Sequence, residues 1–145
     1  MSAAPSSAVL FVCTFNGVRS PMAAGLMRRL YGQTVQVDSC GLAPGEEVDP
    51  LAAAVMAEVG VNLSDHLPQK LDDLLAARRF QHVVALSDQA WDQVKDRVGA
   101  DAAVHWVTPD PTLQEGSRDS RLEAYRLIRD DLEARIIERF GPAKA

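Results

Sequence analysis

The sequence predicts an α/β fold: a single-domain, doubly wound, four-stranded parallel sheet flanked by helices, spanning residues 1–145. Three observations predict it. Short β-branched apolar runs alternate along the chain with amphipathic helical stretches. The runs are continuously apolar, as strands buried on both faces are. No repeat, low-complexity stretch or linker divides the 145 residues, a length that suits one core.

The elements follow in order. Ala8 to Val12 (AVLFV) reads as a buried parallel strand ending at a polar loop. Ser20 and Pro21 supply an N-cap and a first-turn proline, and Met22, Leu26, Met27 and Leu30 share one helix face before Gly32. Thr34 to Asp38 is the second strand. Asp49-Pro50 repeats the cap-then-proline signal for a helix with Leu51, Val55 and Val59 on its face, ending at Gly60. Asn62 to Leu71 reads as irregular, and a short helix around Asp72 to Ala77 leads into a third strand, His82 to Leu86. Asp88 is placed to cap a helix running through Val94, and Ala102 to Trp106 forms the fourth strand. The last element is the longest: Leu122, Tyr125, Ile128, Leu132 and Ile136 recur at three- and four-residue spacing, the stripe of a helix docked on the sheet. Residues 1–7 and 141–145 are expected to be frayed.

Composition excludes several function classes. A net charge of -5, spread over interspersed acids and arginines, offers no basic stripe for nucleic-acid phosphates. The N-terminus has no positive n-region, and its apolar run is too short for a signal core or a membrane span, so a cytoplasmic protein is expected. The two cysteines, Cys13 and Cys40, have neither the spacing of a zinc site nor that of a disulfide framework.

The chemistry points to the turn Cys13-Thr14-Phe15-Asn16-Gly17-Val18-Arg19-Ser20, beyond the carboxyl end of the first strand, where ligands sit in such sheets. A thiol ends the strand, and a guanidinium follows six residues later at the start of a helix. That spacing is common by chance, so its context decides. Five intervening residues can curl their amides inward as an anion nest in line with the helix dipole. Gly17 permits a positive φ in that curl, and Asn16 tolerates one. Arg19 can grip two oxygens of a tetrahedral anion, and the surrounding donors favour the thiolate of Cys13 as a nucleophile. Ser20 is placed to donate to the sulfur. Thr14, Phe15, Asn16, Gly17, Val18 and Ser20 are therefore the candidate substrate-binding residues around Cys13 and Arg19.

The segment VLFVCTFNGVRSPMA resembles the phosphate-binding loop of the low-molecular-weight protein tyrosine phosphatase family, which also includes thiol-dependent arsenate reductases. Asp38-Ser39-Cys40-Gly41, the Asp49-Pro50 helix start, Gly60 to His66 and Asp110-Pro111 are similar to family landmarks in the same order, so nearly the whole chain is covered. The resemblance implies a four-stranded parallel sheet. It implies Asp110 as the general acid that protonates the leaving oxygen and then activates water, a need that follows from expelling an alkoxide or phenoxide. It implies Asn16 and Ser39 as braces of the loop, and it requires no metal or cofactor. Asp-Pro is also an ordinary turn signal. His66 reads as a hydrogen-bonded structural residue, and Cys40 as a packing residue with a redox role open.

The chain departs from the family pattern at Phe15, where phosphatases typically carry glycine, and at Val18, where they often carry a second cysteine. Aromatic walls usual after the Asp-Pro and after strand two are replaced by Thr112 and Leu42-Ala43-Pro44-Gly45, with Phe15 and Trp106 as candidate substitutes. Thioredoxin-coupled reductases of the family carry a cysteine where Ser87 stands. The expectation is a cysteine-dependent phosphatase acting on phosphate monoesters, with a phosphotyrosine protein or small aryl phosphate as substrate. Phosphate, sulfate or arsenate would fit the loop, and a monomer or weak dimer is expected, with no nucleic-acid or membrane partner. The alternatives are arsenate reduction by Cys13 with an external thiol or Cys40, and a non-catalytic phosphate-binding module.

Overall fold

Strand β1 (Ser7–Cys13) is apolar at six consecutive positions, because it is covered on both faces and paired on both edges. The structure, a computed structural model, describes residues 7–99 and 101–141. The sheet has four parallel strands in the order β2-β1-β3-β4, with β2 at Val35–Gly41, β3 at His82–Ala85 and β4 at Ala103–His105. Among the described residues five α-helices accompany it: α1 (Arg19–Tyr31), α2 (Pro50–Ala57), α3 (Leu71–Ala77), α4 (Asp88–Val94) and α5 (Arg118–Phe140). The chain leaves β1 towards one neighbour and later returns to the other side of β1, so the loop after β1 lies where the strand order reverses.

Side-chain alternation along the strands splits the core between the two faces. Val9, Phe11, Cys13, Val37 and Val84 meet α1, α2 and the Leu122–Tyr125–Ile128–Leu132–Ile136 stripe of α5. Leu10, Val12, Cys40, Val83 and Ala85 meet α3 and α4 through Leu71, Leu74, Ala90 and Val94. Glu58 just after α2 ties that helix to α5 by pairing with both Arg126 and Arg129. Among the described residues, no helix is long and apolar enough to cross a membrane.

Several local expectations need correction. Strand β2 runs three residues past Asp38, because Ser39, Cys40 and Gly41 continue to pair with Phe11, Val12 and Cys13. Ser20 is not an N-cap: α1 begins at Arg19 after Val18, and the Ser20 hydroxyl is drawn into the neighbouring loop. Ser87, not Asp88, caps α4, its Oγ accepting from the Ala90 amide. Ser7 belongs to β1, while residues 1–6 and 142–145 of the expected frayed ends lie outside the described residues. Asp49 caps α2 as expected, accepting from the Leu51 and Ala52 amides with Pro50 in the first turn.

Candidate functional site

The loop between β1 and α1 is held from outside by its carbonyls. Leu42 donates to Cys13 O (3.2 Å), Ala43 to Thr14 O (2.9 Å), Gly45 to Phe15 O (3.2 Å) and Asp49 to Gly17 O (2.9 Å). With the carbonyls turned outward, the amides of Thr14, Phe15, Gly17, Val18 and Arg19 make no hydrogen bond to protein among the described residues. Such a row of amides at a helix start is an anion nest. Its one left-handed residue is Asn16 (φ 54°): of the two residues expected to suit that conformation, Asn16 takes it and Gly17 does not. The loop crosses β2 so closely at Gly41 that a Cβ there would lie 2.7 Å from Asn16 N and 2.9 Å from the Phe15 carbonyl carbon.

Asn16 is fully buried, and all its side-chain hydrogen-bonding capacity is used. Its Nδ2 donates to Ser20 Oγ (2.8 Å) and to Ser39 Oγ (3.0 Å). Its Oδ1 accepts from the Gln69 amide (2.9 Å) and from His66 Nε2 (3.0 Å). His66 is the donor in that pair, because the amide oxygen of Asn16 can only accept. Burial, then the charge of Arg28, holds the His66 imidazole below its ordinary value, which favours the neutral ring, and the bond to Asn16 Oδ1 calls for its proton on Nε2. Gln69 also donates from Nε2 to the Ser39 carbonyl and accepts the Gly41 amide through its own carbonyl. The sequence marks His66 only as a hydrogen-bonded structural residue and gives no sign of Gln69, because polar residues in an irregular segment carry no signal of what they will reach.

The sulfur of Cys13 lies 2.9 Å from Ser20 Oγ and accepts from the Asn16 amide at 3.3 Å. Ser20 Oγ also lies 3.2 Å from the Cys40 carbonyl. One hydroxyl proton therefore has two acceptors: it goes to Cys40 O while the thiol is protonated, and can turn to the sulfur when the thiolate forms. Arg19 donates from Nη1 to the Thr108 carbonyl (3.0 Å), which fixes the guanidinium beside the loop that carries Asp110. Asp110 Oδ1 accepts from the Thr112 amide (2.9 Å) and hydroxyl (2.7 Å), capping a 3₁₀ turn at Pro111–Leu113. The turn reading of Asp-Pro thus holds for one carboxylate oxygen. The other oxygen makes no hydrogen bond among the described residues.

Cys13, Val18, Arg19, Asp49 and Asp110 line one cleft of about 280 Å³, with Phe15, Gly17, Glu47, Val48, Pro50 and Thr112 completing it. Thr14, Asn16 and Ser20 are not among the residues that line it; the Thr14 hydroxyl bonds to that of Ser87 at 3.1 Å. Phe15 is 58% exposed at the mouth, so it does offer an aromatic surface. Trp106 does not: it packs on Phe11 at 6.2 Å and borders a separate groove with Arg135 and Arg139. The two thiols are free but point to opposite faces of the sheet, since Cys13 pairs with Gly41 and Cys40 with Val12. Cys40 is wholly buried, and burial, then repulsion from Cys13 and Asp38, pushes its thiol well above the usual range. Among the described residues, no group of three or more His, Cys, Asp or Glu side chains could hold a metal ion.

The fold and this turn define an α/β protein with a C-x5-R loop at the point where its strand order reverses. Residues 8–140 match the family model described as low molecular weight phosphotyrosine protein phosphatase. The chain belongs to that family. An arsenate reductase from Halalkalibacterium halodurans is 30% identical over 128 residues, covering 88% of this chain and 91% of its own. Among solved structures, an arsenate reductase in its oxidized state superposes with a TM-score of 0.78 at 27% identity, covering 91% of this chain and 95% of the other. A low molecular weight protein tyrosine phosphatase from T. tengcongensis superposes with a TM-score of 0.77 at 25% identity, covering 93% and 98%. Relatives of both chemistries therefore share this scaffold.

Proposed function

We propose that the chain is a cysteine-dependent phosphatase acting on phosphate monoesters, with aryl phosphates and phosphotyrosine as the substrate class. The observation that carries this reading is one cleft lined by Cys13, Arg19 and Asp110, with the free amides of the loop around the sulfur. The phosphoryl dianion sits on those amides and on the face of Arg19 not spent on Thr108. The Cys13 thiolate attacks phosphorus while Asp110 gives its proton to the departing oxygen, leaving cysteinyl phosphate and an Asp110 carboxylate. Water then attacks the phosphocysteine, losing its proton to Asp110. The P–S bond breaks, and the Ser20 hydroxyl turns to stabilise the returning thiolate.

Arsenate reduction is the second reading, favoured by relatives such as the Halalkalibacterium halodurans enzyme. It needs a thiol to attack the Cys13 adduct. Cys40 is poorly placed to be that thiol, facing the opposite side of the sheet, and at position 87 beside the loop stands a serine. Reduction would therefore draw on an external thiol.

Hydrolysis of an aryl phosphate and thiol-dependent arsenate reduction, measured on one preparation, separate the readings. Aryl phosphate turnover should vanish in Cys13→Ser, and its kcat should fall about 10²–10⁴-fold in Asp110→Asn. Arsenate turnover without phosphatase activity would overturn the proposal. Tight phosphate binding with neither turnover would leave a binding module.

A further inference from the structure

Taking the phosphatase reading as its basis, we infer that Glu47 selects phosphopeptides whose phosphorylated residue is flanked by basic side chains. The cleft is unevenly charged: of its three carboxyl groups Asp110 carries the proton it will give to the leaving oxygen, and Glu47 and Asp49 stand as carboxylates against the single cation Arg19. Arg19 is occupied by the Thr108 carbonyl on one side and, in the bound state, by the phosphoryl group on the other.

The three carboxyl groups differ in what they are free to do. Asp49 is used twice, its Oδ1 by the α2 amides and its Oδ2 by the Tyr125 hydroxyl at 3.0 Å. Asp110 gives one oxygen to Thr112 and the other to proton transfer. Glu47 is exposed and makes no hydrogen bond or ion pair among the described residues. Its backbone is nevertheless held against the loop. The Asp49 amide bonds to Gly17 O at 2.9 Å, and the Glu47 carbonyl lies 3.8 Å from where a Gly17 Cβ would be. Gly17 has no side chain to stand between them, and Glu47 lines the cleft beside the anion loop, its carboxylate within reach of the rim.

A group at that rim meets whatever the substrate carries next to its phosphorylated residue. A guanidinium or ammonium there is attracted, and a carboxylate is repelled by Glu47 and by the negative surplus of the cleft behind it. An exposed ion pair of this kind is worth up to about 1 kcal/mol, or about fivefold. Attraction in one peptide and repulsion in the other widen the contrast to about five- to twentyfold.

The test compares two phosphotyrosyl peptides identical except for arginine or glutamate on either side of the phosphotyrosine, alongside a small aryl phosphate. The wild type should favour the arginine peptide in kcat/KM by about five- to twentyfold at low salt, with the ratio shrinking at high salt. Glu47→Gln should bring the ratio towards one, and Glu47→Lys should invert it. Peptide Kd values on Cys13→Ser should follow the same order without any turnover. A ratio unmoved by Glu47→Lys, with the aryl phosphate still hydrolysed, would overturn the assignment of Glu47 alone. No hydrolysis of any of the three substrates would remove the phosphatase reading and this inference with it.

Discussion

Replacing Gly41 by alanine tests whether the strand under the loop sets the loop's position. The new Cβ would sit 2.7 Å from Asn16 N, 2.9 Å from the Phe15 carbonyl carbon and 3.0 Å from Thr14 O, all backbone atoms with no rotamer to escape through. Ordinary contact for such pairs begins near ~3.5 Å, so relief demands a shift of about 0.5–1 Å in either the loop or β2. β2 is the stiffer partner, tied to β1 at seven register positions, and the loop is the part that gives. Overpacking of this kind costs about 1–3 kcal/mol of stability, read as a lower urea midpoint. Displacing the amides and Cys13 by that distance should lower kcat/KM on an aryl phosphate by about 10²-fold. Gly45→Ala is the internal control, because a Cβ there meets nothing within 4 Å, and it should leave both readouts near wild type. A Gly41→Ala protein as active and as stable as the Gly45→Ala one would refute the reasoning.

Asn16→Ala removes four hydrogen bonds from a fully buried position and puts a Cβ-bearing apolar residue at φ 54° with no side-chain bond to hold it there. A loss of about 3–4 kcal/mol in chemical denaturation is expected, and Asn16→Gly should lose about 1 kcal/mol less, because glycine accepts the left-handed conformation freely. Acidification gives a separate check through His66. Its folded value lies below the unfolded 6.5, so the unfolded chain takes up the proton first. The stability contribution is whole above 6.5 and falls as pH drops from 6.5 towards the folded value. The urea midpoint should decline over that window in the wild type and less so in His66→Gln.

What could be read from the residues alone was local. The β1–loop–α1 unit, the Asp49-Pro50 start and the α5 stripe were legible because strand runs, caps and 3.6-residue periodicity are properties of neighbouring positions. The placement of Cys13 and Arg19 at opposite ends of one tight turn follows for the same reason. Tertiary structure decided everything that depends on what a side chain meets across the fold. Asn16 is braced from 23, 50 and 53 residues away by Ser39, His66 and Gln69. The Ser20 hydroxyl joins that network instead of the expected cap, and of the two residues suited to a positive φ it is Asn16, not Gly17, that adopts it. The strand register, not the spacing of the two cysteines, sends Cys40 to the far face of the sheet. Packing on Phe11 removes Trp106 from the cleft, while the loop after β2 brings Glu47 into it. A sequence records which groups can donate, accept or carry charge; only the closed chain settles which of them share a wall.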